Sequence, residues 1–352
     1  MKSILLSLSV GLVAGLPSHP KNVPRAADEL PVIGLTNITK IDVANAGGIQ
    51  GRRLAGPFMG VDFPDPSLIW GDGSWKAYAT SSNGKKIPVA TSTDTFEWTL
   101  TGTDALPDPG SWVDPNNQGI WAPDVQKNDD GVYVMYYTAQ QNGGNHCIGA
   151  ATSTTAVGPF TPQSQPLICN AAGGGVIDAS GYDDGTDRWI LWKVDGNSLG
   201  GATTCTGGTK SGTYISTPIM IQRMARDALT LQDGPKTILD NEGASNDGVV
   251  EAPSLYKIAD GNYVLFYSAH CYSSDDYDVE YAFSSTIDGS YTNRGILIRT
   301  VDNRGVYGPG GVDIDPNGQS VVFHGRLNPN QPSAIRELYS GALTFNGQSI
   351  TV

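Results

Sequence analysis

Hydrophobic runs recur along the chain in pairs, and each pair is joined by an acidic or asparagine residue followed by glycine. The five turns are Gly71-Asp72-Gly73, Asp129-Asp130-Gly131, Asp183-Asp184-Gly185, Asp260-Gly261 and Asn317-Gly318. The runs that follow them are Trp75 to Ala79, Val132 to Thr138, Arg188 to Val194, Tyr263 to Ala269 and Ser320 to Gly325. Asp-Gly and Asn-Gly between such runs are hairpin signals. The pattern predicts five β-hairpins, spaced by about 61 residues on average.

A second motif of small and β-branched residues follows three of the hairpins. It is found at residues 89–92, 150–153 and 281–285 and predicts a third strand, after which a fourth, outer strand follows. Four strands repeated five times predict an all-β fold, a five-bladed β-propeller. Propeller blades bury their faces on one another, so residues 55–352 form a single domain. A two-sheet sandwich is the alternative, but it does not account for five matching hairpins.

The N-terminus has the pattern of a secretory signal peptide at residues 1–16. Lys2 precedes an apolar run from Ile4 to Leu16, which is too short to span a bilayer and is broken by Pro17. A polar leader at residues 17–54 separates it from the repeats. No later stretch has the length of a transmembrane segment, so we predict a secreted, extracellular protein without a membrane partner.

Composition supports the same fold class and excludes some partners. Among 352 residues there are 44 Gly and 22 Pro, which suits a turn-rich β protein better than a helical bundle. The formal net charge of −13 opposes binding to nucleic acid and to anionic membranes. We expect a monomer.

Four cysteines in a secreted chain predict two disulfides, with three possible connectivities. Cys147 and Cys169 are equally distant in sequence from Gly158, so a hairpin bent there places them opposite each other. We therefore predict the pair Cys147–Cys169 and, by elimination, Cys205–Cys271. No Cys/His spacing supports a structural zinc site.

Each hairpin is preceded by an acidic residue within ten positions of its turn glycine. These residues are Asp65, Asp124, Asp178, Glu251 and Asp313. The first strand of each propeller blade lines the central axis, so the five carboxylates are predicted to converge on one mouth of the channel. Like charges gathered there are unfavourable unless they are protonated, bound to a cation or used in chemistry. The alternative for each residue alone is a simple strand-end cap, but several in register favour a functional site.

These residues resemble glycoside hydrolase family 43, whose members are five-bladed propellers. The resemblance runs from about residue 56 to the C-terminus. It rests on Asp62-Phe63-Pro64-Asp65-Pro66-Ser67, Trp121-Ala122-Pro123-Asp124-Val125, Ile177-Asp178-Ala179-Ser180, Trp192-Lys193-Val194-Asp195-Gly196-Asn197 and Glu251-Ala252-Pro253-Ser254. It implies that Asp65 is the general base, Glu251 the general acid and Asp178 the carboxylate that raises the pKa of the acid and orients it.

Carboxylates on different blades suit an inverting mechanism, which needs an acid and a base about 6.5–9.5 Å apart with water between them. The resemblance implies a carbohydrate polymer or oligomer of plant cell walls as substrate, in hemicellulose or in pectin side chains. We put an exo-acting β-xylosidase or α-L-arabinofuranosidase first and an endo-α-1,5-L-arabinanase second. A non-catalytic carbohydrate-binding propeller is the alternative of another class, and it predicts the loss of at least one of the three carboxylates.

A sugar site needs aromatic faces and polar edges beside the carboxylates. The candidates for substrate contact are Phe63, Trp121, Asp124, His324 and Arg326. The alternatives are that the aromatic residues belong to the core and that Asp124 supports its strand. His324 either lies near a central structural Ca²⁺, held through water or protein oxygens, or is a satisfied core histidine. No cofactor is required for the reaction.

A retaining fructan- or sucrose-cleaving propeller is the related enzymatic alternative, since residues 112–116 read Trp-Val-Asp-Pro-Asn. In those enzymes this motif opens the first blade. Here Asp114 falls in the loop before the second blade, and the Arg-Asp-Pro motif of that group is absent from the sequence.

Overall fold

The computed structural model describes residues 54–352. The predicted signal peptide at residues 1–16, and the leader at residues 17–54 except for its last residue, lie outside this part, so both stay predictions. Within the described residues, no helix has the length and apolar character needed to cross a membrane.

The first three blades are antiparallel sheets whose strands follow one another in the chain. The first blade has strands β2 (Ser67–Gly71), β3 (Ser74–Tyr78), β4 (Pro88–Ser92) and β5 (Thr99–Asp104). The second blade has strands β6 (Trp121–Lys127), β7 (Tyr133–Gln140), β8 (His146–Ser153), β9 (Thr161–Pro162) and β10 (Ile168–Cys169). The third blade has strands β11 (Val176–Asp183), β12 (Arg188–Val194), β13 (Ile219–Met224) and β14 (Lys236–Leu239). The second strands of these blades match the predicted runs to within a few residues.

The last two blades complete the ring. The fourth blade has strands β15 (Val250–Lys257), β16 (Tyr263–Ala269), β17 (Asp278–Ser284) and β18 (Thr292–Ile298). The fifth blade has strands β19 (Tyr307–Ile314), β20 (Ser320–Arg326), β21 (Glu337–Ala342) and β1 (Leu54–Phe58), the first strand of the described residues. A separate hairpin has strands β22 (Thr344–Asn346) and β23 (Ser349–Thr351). The helical turns in the described part are short 3-10 segments at Ala171–Gly173, Gly196–Leu199, Thr204–Thr206, Gly243–Asn246 and Thr300–Asp302. The predicted all-β, five-bladed propeller is confirmed.

The fifth blade is closed by a strand from the other end of the described chain, which the sequence pattern did not predict. Strand β1 pairs antiparallel with β21, with Leu54 opposite Gly341 and Ala55 opposite Ser340. The predicted outer strand of this blade is therefore supplied by residues at the boundary between the leader and the domain. Because β1 carries no hairpin turn of its own, a repeat-based pattern has no signal for it.

Neighbouring blades are joined by apolar contacts and by hydrogen bonds from buried tyrosines. Tyr78 of the first blade donates to the carbonyl of Ala156, at the end of the second blade's third strand, over 2.6 Å. Tyr136 of the second blade donates to the carbonyl of Ala228 in the third over 2.6 Å. Each ring buries a large apolar face while its hydroxyl finds an acceptor, so the blades are held at fixed angles around the axis.

Both predicted disulfides are formed. Cys147 and Cys169 lie opposite each other on β8 and β10, with their Cα atoms 4.7 Å apart. Cys205 and Cys271, with Cα atoms 5.1 Å apart, join the loop after β12 to the loop after β16. The second disulfide thus connects loops of the third and fourth blades.

We predict that Gly56→Ala destabilises the protein more than Gly60→Ala. Both glycines have positive φ, 117° and 65°, so each substitution strains the backbone by about 1 kcal/mol. A Cβ at Gly56 additionally lies 3.0 Å from the carbonyl oxygen of Leu338 and 2.8 Å from the ring of Tyr339, whereas nothing is within 4 Å at Gly60. We expect a total loss of about 2 kcal/mol or more for Gly56→Ala, measured by thermal unfolding. Equal losses of stability in the two variants would show that β1 is not tightly packed against β21 in the fifth blade.

Candidate active site

The innermost strands of the five blades share one unusual backbone feature at the axis. Each has, in the strand or just before it, a residue with left-handed φ, at 40–60°. These residues are Asp65, Ala122, Asp178, Ala252 and Gly311. In the second to fifth blades the strand register shifts at this point, which marks a β-bulge. Side chains at and beside the bulge are thereby turned toward the axis, and strained residues of this kind concentrate at functional sites.

Asp65 is held in place by groups from the first and fifth blades. Its Oδ2 accepts a hydrogen bond from the Thr80 hydroxyl over 2.7 Å, and its Oδ1 lies 3.3 Å from Nη1 of Arg336. Its backbone N–H donates to Nδ1 of His324 over 2.9 Å. The guanidinium and the hydroxyl donor fix the orientation of the carboxylate. The arrangement suits a base.

Glu251 lies on the first strand of the fourth blade and accepts hydrogen bonds at both of its oxygens. Nζ of Lys193, from the third blade, is 2.9 Å from Oε2. The hydroxyl of Tyr277 is 2.8 Å from Oε1. The carboxyl group is therefore fixed in orientation by two donors on different sides.

Asp178 lies close enough to Glu251 for the charge of Glu251 to act on its carboxyl group. Burial, followed by the charge of Glu251, raises the pKa of Asp178 well above its ordinary range, and the charge of Lys193 opposes this rise. Its Oδ2 accepts a hydrogen bond from the backbone N–H of Ala252 over 3.0 Å. The raised pKa favours a protonated Asp178 beside Glu251.

Asp124 and Asp313 lie in a second, deeper layer along the axis. Asp124 accepts a hydrogen bond from the N–H of Gly181 over 2.9 Å, and Asp313 accepts from the N–H of Leu68 over 2.8 Å and from the hydroxyl of Ser254 over 2.7 Å. Burial, and then the charge of Asp313, raises the pKa of Asp124 to about 8, and burial raises the pKa of Asp313 to about 6. The sequence prediction of one ring of five carboxylates is thus corrected to two layers, since these residues come two positions after the bulge.

The three upper carboxylates open into a pocket of about 320 Å³. Trp121 lines it from the second blade; it is 37% exposed, and its ring stacks on His146 with 4.0 Å between ring centroids. Tyr272 lines it from the fourth blade, and the guanidinium of Arg336 lies 5.4 Å from its ring centroid. Two supported aromatic rings and three carboxylates form the kind of surface that binds a sugar chain.

Of the five predicted substrate contacts, Trp121 lines this pocket, whereas Phe63, Asp124, His324 and Arg326 do not. Phe63 is 0% exposed and packs in the core with Leu68 and Trp98, so no sugar ring can stack on it. Arg326 is 1% exposed, and its guanidinium pairs with Asp275 over 2.7 Å and donates to the carbonyl of Ser274. Both assignments are corrected. Phe63 is a core residue, and Arg326 holds the loop that carries Tyr272.

His324 is a fully buried residue behind Asp65. Its ring stacks on Tyr277, with 5.8 Å between ring centroids, and burial lowers its pKa well below the ordinary value. Because Nδ1 accepts from a backbone N–H, the neutral ring carries its proton on Nε2, which has no hydrogen-bond partner. Because Nε2 carries a proton, it can donate a hydrogen bond to a water oxygen but cannot bind a metal ion directly.

The described residues include no cluster of three or more His, Cys, Asp or Glu side chains that could hold a metal ion. A central Ca²⁺ surrounded by water oxygens near His324 stays a prediction, and no step of the reaction is derived through it.

Three polar residues of the site were not assigned by sequence reasoning. Lys193 had a signal, because a lysine in the apolar run 188–194 needs a buried carboxylate partner. Arg336 and Tyr277 had none, since each meets its partner across a long sequence separation.

Comparison with known proteins agrees with this geometry. The family model described as "Glycosyl hydrolases family 43" matches residues 55–343. A "Probable arabinan endo-1,5-alpha-L-arabinosidase C" of Aspergillus flavus is 30% identical over 287 residues, covering 74% of this chain and 81% of that protein. An "Extracellular endo-alpha-(1->5)-L-arabinanase 1" of Bacillus subtilis is 26% identical over 276 residues, covering 74% and 79%.

Among solved structures, a thermostable family-43 glycoside hydrolase superposes with a TM-score of 0.70 at 27% identity. The match covers 85% of this chain and 95% of that one.

We predict that Asp124→Asn changes the pH dependence of stability. Since the folded pKa of Asp124 lies above its ordinary 3.8, the protonated form stabilises the fold at low pH, and this contribution is lost as the pH rises toward 8. The asparagine stays neutral. Relative to the wild type, the variant should therefore gain about 1 kcal/mol or more between pH 5 and pH 8, measured by thermal unfolding. Asp130→Asn, at an exposed aspartate, is the control and should show the same pH dependence of stability as the wild type. If Asp124→Asn also shows the wild-type pH dependence, the raised pKa of Asp124 beside Asp313 is wrong.

Proposed function

The chain belongs to glycosyl hydrolase family 43, and we propose that it is an inverting endo-α-1,5-L-arabinanase. Membership of the family makes it a glycosidase, which hydrolyses O-glycosidic bonds. The observation that carries the finer assignment is the similarity to proteins named arabinan endo-1,5-alpha-L-arabinosidase over three quarters of the chain. The comparisons therefore favour the alternative prediction over the exo-acting β-xylosidase or α-L-arabinofuranosidase that was put first.

The pocket gives physical support to a polymeric substrate. Trp121 and Tyr272 come from different blades, so their rings present separate surfaces to a chain of sugars. Two separate aromatic surfaces beside the carboxylates suit a substrate that extends over more than one sugar unit.

In the proposed mechanism Asp65 is the general base. Thr80 and Arg336 hold its carboxylate in place, and it takes a proton from water as the oxygen of that water attacks the anomeric carbon. Glu251, on the opposite side of the axis, gives its proton to the glycosidic oxygen as the bond to the anomeric carbon breaks. Asp178 supports the acid, because the charge interaction between the two carboxyl groups keeps a proton on the pair.

We also propose that the enzyme acts outside the cell. Two disulfides are typical of an oxidising compartment, and a relative from Bacillus subtilis is named extracellular. The signal-peptide pattern at residues 1–16 supports the same location. The acidic charge of −13 is consistent with a neutral polysaccharide as substrate, since that substrate has no phosphate or lipid charge to attract.

The mode of action is tested on linear α-1,5-arabinan. We expect the early products to be a series of arabino-oligosaccharides, with viscosity falling well before arabinose accumulates, because an endo-acting enzyme cleaves internal bonds. Aryl β-xylosides and aryl α-L-arabinofuranosides are the comparison substrates, and both should be cleaved slowly. Release of arabinose alone from the polymer, or preferential cleavage of the xyloside, would return the assignment to an exo-acting enzyme.

The roles of the two carboxylates are tested by Glu251→Gln and Asp65→Asn. Loss of the proton donor should reduce kcat on arabinan by about 100-fold or more, but far less on an arabino-oligosaccharide with a nitrophenyl leaving group, which needs little protonation. Loss of the base should reduce kcat on both substrates, since water must be activated in each case. If Glu251→Gln loses equal activity on the two substrates, Glu251 is not the acid.

A further inference from the structure

Lys193 is a buried lysine in direct contact with the proposed general acid. Its side chain is 1% exposed, and Nζ lies 2.9 Å from Oε2 of Glu251 and 3.3 Å from Oδ1 of Asp195. It belongs to β12, the second strand of the third blade, so its contact with Glu251 on β15 crosses to the fourth blade. An ammonium group is costly to bury, and a cation beside an acid makes it harder to keep protonated. The position therefore calls for a functional reason.

We propose that Lys193 is a positioning residue that sets the acid strength of Glu251 and makes Oε1 its proton-donating oxygen. This inference rests on the proposed function, in which Glu251 is the general acid. It is argued from the contact of Lys193 Nζ with Oε2 of Glu251.

The contact distinguishes the two oxygens of Glu251 by their possible partners. An ammonium group can only donate hydrogen bonds, so Oε2 beside Lys193 must act as an acceptor in both protonation states. A hydroxyl group can donate or accept, so Tyr277 can face Oε1 whether or not that oxygen carries a proton. The proton of the acid is therefore assigned to Oε1.

The same contacts favour the transfer of that proton. As the glycosidic bond breaks, the bond between Oε1 and its proton breaks too, and the proton goes to the leaving oxygen, which keeps the electron pair of the glycosidic bond. Glu251 is left as a carboxylate. Both of its oxygens then accept hydrogen bonds, from Lys193 and Tyr277, which is the arrangement seen in the structure. These interactions strengthen as negative charge develops, so they stabilise the transition state more than the ground state.

The charges around Glu251 come from every blade except the second. Asp178 and Asp195 of the third blade and Asp65 of the first carry negative charge, and Lys193 carries positive charge. Tyr277 is a neutral donor from the fourth blade, and Arg336 of the fifth is engaged with Asp65. Burial lowers the pKa of Lys193, but the charges of Glu251, Asp195 and Asp178 outweigh burial and raise the pKa above its ordinary value. Lys193 therefore stays charged.

The test is the pH profile of kcat/KM for Lys193→Met. Loss of the positive charge raises the pKa of Glu251, so the alkaline limb of the profile, where the acid loses its proton, should move upward by about one pH unit or more. The activity lost should also be larger on arabino-oligosaccharides than on a nitrophenyl substrate, because a weaker acid protonates a poor leaving group less well. Lys210→Met, which removes an exposed lysine paired with Asp276, is the control and should leave the limb in place.

Lys193→Gln is a second neutral variant, which keeps a hydrogen-bond donor and tests the charge if the methionine variant fails to fold. An upward shift of the limb in either neutral variant supports the proposal. An unchanged limb, with the same loss on both substrates, would make Lys193 a structural residue only and would overturn it. Failure of the wild type to cleave arabinan would instead contradict the proposed substrate, and the profile can then be measured on whichever glycoside the wild type cleaves.

Discussion

The site depends on one left-handed residue in, or just before, the innermost strand of each blade. In a regular strand, side chains alternate between the two faces of a blade, and few would point along the axis. The left-handed residues Asp65, Ala122, Asp178, Ala252 and Gly311 turn the backbone at corresponding positions of the five blades, and in the second to fifth blades this turn is a bulge within the strand. Aspartate at this position, or an acidic residue immediately before it, reaches the upper pocket, whereas an aspartate two positions later points into the deeper layer. One backbone constraint thus determines which carboxylates can take part in chemistry.

The two layers balance their negative charge in different ways. In the upper layer Arg336 and Lys193 lie against Asp65 and Glu251, so these carboxylates have cationic partners at the level where substrate binds. In the deeper layer, Asp124 and Asp313 accept hydrogen bonds from backbone N–H groups and a serine hydroxyl, and their pKa values rise to about 8 and 6. The deeper carboxylates therefore hold protons at a pH at which an ordinary aspartate is ionised, whereas Asp65 and Glu251 lie against cations.

Much of this could be predicted from the sequence, because it depends on local patterns. The turn glycines predict the hairpins. The hairpins in turn predict the blades and the disulfide between β8 and β10. Assignments failed where neighbours in sequence point in different directions. Phe63 lies two residues before Asp65, yet the backbone turn between them sends it into the core. Arg336 and Tyr277 could not be assigned, because their partners are distant in sequence and meet only when the ring closes.

The pairing of β1 with β21 affects how the protein can fold as it is made. Strand β1 emerges from the ribosome before any blade, but its partner is synthesised some 280 residues later. Until then its hydrogen-bonding edge is unpaired, and an unpaired edge can join a strand of another molecule. The ring is therefore completed only near the end of synthesis, and the four contiguous blades can form earlier. The site includes Arg336 from the last blade, so it too is completed only after that blade has been synthesised.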